Sequence, residues 1–87
     1  MNLHKQEVLL DLLDSQTITA LKQIYGLTLR HLSVRLDLTP QAVHYGLKNN
    51  TLQAYQKMAI YQAFKDRGLE ISELILIHTM LNKGKWQ

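Results

Sequence analysis

The sequence predicts an all-α fold, a compact bundle of about five or six short helices. Three observations predict it. Apolar residues recur three and four positions apart in every segment, as in Val8, Leu9, Leu12 and Leu13. No stretch sustains the apolar–polar alternation of a strand. Helix starts and stops fall between the periodic segments: Thr28 and Thr39-Pro40 open them, and Gly26 and Gly68 close them. The 87 residues suit one domain over 1–87. A chain this short buries only about 60–65 % of its unfolded surface, so its stability margin is thin.

The first helix is expected from Leu3 to Leu13, broad in its apolar face. Asp14 and Ser15 break the pattern, and Thr17 or Thr19 is the expected cap of a second helix through Ala20, Leu21, Ile24 and Tyr25. Thr28 caps a third, with Leu29, Leu32 and Leu36 on one side and Asp37 at its end. Thr39 caps a fourth, and Pro40 takes its first position, where the missing N–H costs nothing. Asn49 and Asn50 end it, because asparagine tolerates left-handed backbone. Thr51 is the expected cap of a longer helix to Gly68, and Ser72 that of a last one from Glu73 to Asn82. The apolar run Ile71–Ile77 also suits a strand, but a lone strand would have no partner. Gly46 sits inside the fourth helix at a cost of about 1 kcal/mol of propensity relative to alanine. Either Leu47 fills the space a side chain would take there, or the Thr51–Arg67 helix approaches closely.

Composition narrows the function. Without cysteine there are no disulfides, thiolate metal sites or cysteine nucleophiles. No run of 18 apolar residues marks a membrane span. Glu7, Asp11 and Asp14 interrupt any signal-peptide order, so a cytosolic protein is expected. No nucleophile–base set and no His–carboxylate grouping with ligand spacing stands out, and His4 and His78 sit alone. No enzyme, metal or cofactor is therefore expected. The net charge of +3 is unevenly spread. Residues 1–27 are net −1, while 28–50, with Arg30, Arg35 and Lys48 against Asp37, and 51–87 are each net +2. That imbalance points weakly to an anionic partner.

Residues 28–48 predict two short helices joined by Asp37-Leu38-Thr39, the connector length of a helix-turn-helix. Small Ser33 allows the helices to approach, and Leu38 would plug the space between them. The stretch GLTLRHLSVRLDLTPQAV, Gly26 to Val43, resembles the Cro/repressor-type (lambda-repressor-like, XRE) helix-turn-helix family of phages and bacteria. The resemblance covers about Ile18 to Phe64. It departs from the family pattern at Asp37, where glycine is usual, and at Gly46, where a bulky core residue is usual. The family implies that the Pro40–Lys48 helix enters the major groove and that the Thr28–Leu36 helix lies across the backbone. In size and layout the chain is also similar to small P2-like phage regulators of the Apl type, which combine repression with control of excision.

On that resemblance, Thr39, Gln41, Ala42, His44 and Tyr45 are the candidate base readers. Gln41 suits paired bonds to an adenine edge. Thr28, Arg30, Arg35, Lys48, Asn49 and Asn50 are the candidates for the phosphate backbone. The plain alternative is a solvated helix face and ordinary surface charge. The expected function is a sequence-specific regulator of double-stranded DNA, a repressor-like phage or prophage switch, acting as a homodimer or larger assembly without membrane or small-molecule substrate. Leu9, Leu13, Ile75, Ile77 and Leu81 either form the protomer contact or complete the core. Tyr25, Tyr55, Tyr61 and Phe64 are expected in the core rather than as a stacking platform. The basic tail Lys83–Gln87 either frays or lies on DNA or a second protomer. The rival class is a protein-interaction module, such as an antirepressor or an antitoxin-like partner binder.

Overall fold

A computed structural model of the chain describes residues 3–83, with side chains from residue 7 onward. The chain forms α1 (Leu3–Leu12), α2 (Ser15–Tyr25), α3 (Leu29–Leu36), α4 (Pro40–Asn49), α5 (Ala54–Asp66) and α6 (Ile71–Asn82). There is no strand among the described residues, so Ile71–Ile77 is helical. The tail expected over Lys83–Gln87 lies outside the described residues apart from Lys83, which caps the end of α6.

Local side-chain chemistry sets most helix boundaries. Thr28 Oγ1 accepts from the His31 N–H at 3.1 Å, and the His31 ring Nδ1 accepts in return from the Thr28 N–H at 3.1 Å. This closes a capping box with histidine in the place of the usual glutamate. Thr39 Oγ1 accepts from the Ala42 N–H, also at 3.1 Å. Three expected caps are corrected. Asp14, rather than Thr17 or Thr19, caps α2 by accepting from the Thr17 N–H at 2.8 Å. Gln53, rather than Thr51, precedes α5, with its N–H bonded to Gln56 Oε1 at 2.8 Å. Glu70, rather than Ser72, precedes α6, with its N–H bonded to Glu73 Oε1 at 3.0 Å.

Thr17 is fully buried, with its hydroxyl 3.2 Å from His78 Nδ1. His78 is thus not isolated, because Asp14 Oδ2 lies 3.5 Å from the same nitrogen and Asn82 faces it from the next turn. This polar seam joins the start of α2 to α6. Burial opposes ionisation of Asp14, but the Thr17 N–H and hydroxyl, His78 and Asn82 outweigh it and hold the carboxyl below its ordinary range.

The core gathers Leu13, Ile18, Leu21, Leu32, Val43, Ile60, Phe64 and Leu74, none of them more than 0 % exposed. Leu9 and Leu13 of the first segment are thereby core residues, not a free surface. Tyr61 and Phe64 are buried, Tyr25 packs beside Phe64, and Tyr55 is 67 % exposed, against the expectation for it. On α5, Tyr61 and Phe64 lie three apart on the inward face, whereas Tyr55 sits in the first turn. Helix α4 packs on α2 and α3, α5 on α3 and α1, and α6 on α2 and α1.

The glycine in α4 is explained by Leu52. A Cβ added to Gly46 would stand 2.6 Å from Leu52 Cδ2 and 3.1 Å from its Cγ. The close neighbour is therefore a buried side chain from the connector before α5, not the backbone of that helix. Gly46→Ala lowers stability by about 1 kcal/mol, since overpacking of about 1–3 kcal/mol outweighs a propensity gain of about 1 kcal/mol. In a Leu52→Ala background, which itself costs about 2–3 kcal/mol, the same change becomes neutral or stabilising. Urea unfolding of the four proteins checks this reversal of sign. Asp14→Ala lowers stability by about 1 kcal/mol at pH 7. A carboxylate with a depressed folded pKa contributes above its unfolded value and loses that contribution as pH falls through the folded one. The gap between wild type and variant is therefore full at neutral pH and closes below about pH 4, as thermal melts across pH 7 to 3 will read.

Candidate nucleic-acid interface

Helix α4 has one inward and one outward face. Val43, Gly46 and Leu47 are buried against α2, α3 and Leu52. That leaves Gln41, Ala42, His44, Tyr45 and Lys48 exposed, as expected from their spacing. Gln41, His44 and Lys48 donate and accept no side-chain hydrogen bond among the described residues, so their polar atoms face solvent. Tyr45 is 67 % exposed. The connector before α4 turns through Asp37, at φ 56° and ψ 44°, which supplies the left-handed residue that glycine commonly provides. The Leu38 N–H donates to Ser33 O at 2.9 Å, and the Leu38 side chain packs on the core as expected. Ser33 is buried, and its hydroxyl donates to Arg30 O at 2.7 Å.

The residues expected at the phosphate backbone divide into two sets. Arg30 and Lys48 are exposed without an acidic partner among the described residues. Arg35, by contrast, bonds Asp66 of α5, whose carboxyl it holds below the usual carboxylate range together with Gln62. Thr28 spends its hydroxyl on the α3 cap. The Asn49 amide donates back to Tyr45 O at 3.0 Å. Asn50, left-handed at φ 54°, accepts from the Ser15 hydroxyl at 3.0 Å. This last bond ties the end of α4 to the start of α2.

The two flanks of α4 differ. One opens on a cleft of about 360 Å³ lined by Thr19 and Lys22 of α2, Leu29 of α3, and His44, Leu47 and Lys48 of α4. The other opens on a smaller depression of about 250 Å³, whose lining includes Ala42, Tyr45, Leu52, Gln53 and Gln56 and no cation. Lys22 and Thr19 were not legible as site residues. Periodicity buries Ile18 and Leu21, which sets Thr19 and Lys22 at the edge of α2, but it cannot say that α4 lies alongside.

Helix α6, which also packs on α2, turns Ile75, Leu76 and Met80 outward at 47, 59 and 65 % exposure. Ile77 and Leu81 pack partly inward. Of the five residues considered for a protomer contact, Ile75 alone is largely exposed. No described helix is long and apolar enough to cross a membrane. No protein-family model, curated protein or solved structure matches the chain.

Proposed function

We propose that the protein is a sequence-specific double-stranded DNA-binding regulator that acts by occupying operators, in the manner of a small phage or prophage repressor. The observation that supports this most is the exposed strip Gln41, His44, Tyr45 and Lys48 on a helix whose rotation is fixed by its buried face. A groove-reading helix needs that combination: polar side chains that are free to meet base edges, carried by a backbone that cannot roll. On this reading α3 and α4 are the two helices of a helix-turn-helix, with Thr39 and Ala42 beside the reading strip. Arg30 and Lys48 hold phosphates, and Arg35 does so only after leaving Asp66.

The exposed apolar strip of α6 favours a protein contact as well. On the operator reading the contact is a second copy of the chain. Half-sites one helical turn apart lie about 34 Å from centre to centre. The molecule measures 36 × 32 × 24 Å, so two copies bound at that spacing would meet with their longest axis along the DNA. A pure protein-interaction module would use the α6 strip and leave α4 idle.

Titration of duplex DNA against salt separates the two. An operator binder contacting about four to six phosphates gives a log–log slope of about −3 to −6, and absence of duplex binding sinks the proposal. Gln41→Ala then costs about 1–3 kcal/mol on the best site and little elsewhere. Asp66→Asn releases Arg35, so it tightens binding to every duplex and steepens the salt slope by about one.

A further inference from the structure

We infer that the cleft between α2 and α4 is a seat for one sugar–phosphate unit of the DNA backbone, with Lys22 as a phosphate contact. The inference rests on the DNA-binding reading and adds to it a site, a residue and a strand flank. Lys22 lies in the last turn of α2, where a lysine by itself is ordinary helix-end chemistry. What sets it apart is its company. Lys22, Lys48 and His44 converge on one cleft from two helices, and no acidic side chain lines it. Lys22 is half-buried and has no carboxylate partner among the described residues. Two ammonium groups around one concavity repel each other in the free protein, and an anion between them turns that repulsion into attraction.

The rest of the lining narrows the anion. The Thr19 hydroxyl and the His44 ring add hydrogen-bonding groups at the rim, and Leu29 and Leu47 form an apolar floor. A nucleotide of the backbone has the matching halves, a charged phosphate diester and the carbon face of a deoxyribose. The position also fits a helix in the major groove, whose flanks face the two phosphate strands. The cationic flank of α4 is the α2 side, and the flank lined by Gln53 and Gln56 carries no cation. One strand is therefore gripped by charge, and the other meets amides and hydroxyls.

The test compares wild type, Lys22→Gln and Lys65→Gln in duplex titrations across salt. Lys65 removes the same charge from the last turn of α5, beside a separate cleft lined by Leu9, Tyr61 and Leu69. Lys22→Gln is expected to weaken all duplexes alike, about three- to tenfold, and to flatten the slope by about 0.9, the loss of one phosphate contact, while Lys65→Gln keeps the wild-type slope. If the two variants behave alike and wild type binds steeply, the cleft assignment falls and the DNA reading stands. If wild type binds no duplex, both fall. Amide NMR of the full chain with dimethyl phosphate and with inorganic phosphate adds an independent readout. Shifts confined to Thr19, Lys22, His44 and Lys48 with both probes, alongside the duplex result, support the seat. Shifts with inorganic phosphate in a chain that ignores duplex mark a free-phosphate site and overturn the backbone assignment.

Discussion

Leu52 meets α4 at Gly46 so closely that a methyl group there would overlap it, and with Val43 and Leu47 this contact sets which face of the helix turns inward. Val43 and Leu47 already turn the same side inward, toward α2 and α3. With Leu52 against the third inward position, Val43, Gly46 and Leu47 form one continuous buried stripe along α4. It has one rotation available, and that rotation exposes Gln41, His44, Tyr45 and Lys48. The propensity cost of glycine, about 1 kcal/mol, is offset by burying a leucine side chain, worth about 1.5–3 kcal/mol. A bulky residue at position 46 would fill the core from within the helix. Here the connector after the helix fills it instead, and this also anchors the start of α5.

What could be read in the sequence follows the range of the interaction that decides it. The caps of α3 and α4 are set by contacts three residues apart, and Thr28 and Thr39 announce them. The inward face of α4 is set by helical period, and it too was legible. The cap of α2 was not, because Thr17 has the side chain of a good cap but is used in the seam with His78, 61 residues away. Arg35 reads as a free cation until α5 brings Asp66 to it across 31 positions. Lys22 reads as a routine helix end until α4 lies beside it. In each case the residue type was visible and the partner was not, because partners across elements depend on packing that no local pattern encodes.

The bonds at the ends of α4 bear on how firmly its exposed strip is held. Asn50 reaches Ser15, so the end of α4 is fastened to the beginning of α2. The other end is fixed by the Asp37 turn and the Thr39 cap. On the proposed reading, a base contact from Gln41 gains from this, since less freedom remains to be lost on binding.

Helix α2 then takes on a joining role. Its start meets the end of α4 and, through Asp14 and Thr17, the His78 side of α6. Along its length it borders α4 at Lys22 and Thr19 and meets α6 at Thr17 and Tyr25. A protomer contact through Ile75, Leu76 and Met80 would therefore bear on the same helix that lines the proposed phosphate seat. The spacing between two phosphate seats in a dimer would be set by rigid α2 units rather than by the reading helices alone. Binding to a half-site and pairing of two copies would then draw on one set of contacts. A change in the α2–α6 seam would alter how two half-sites are matched without touching a base-reading side chain.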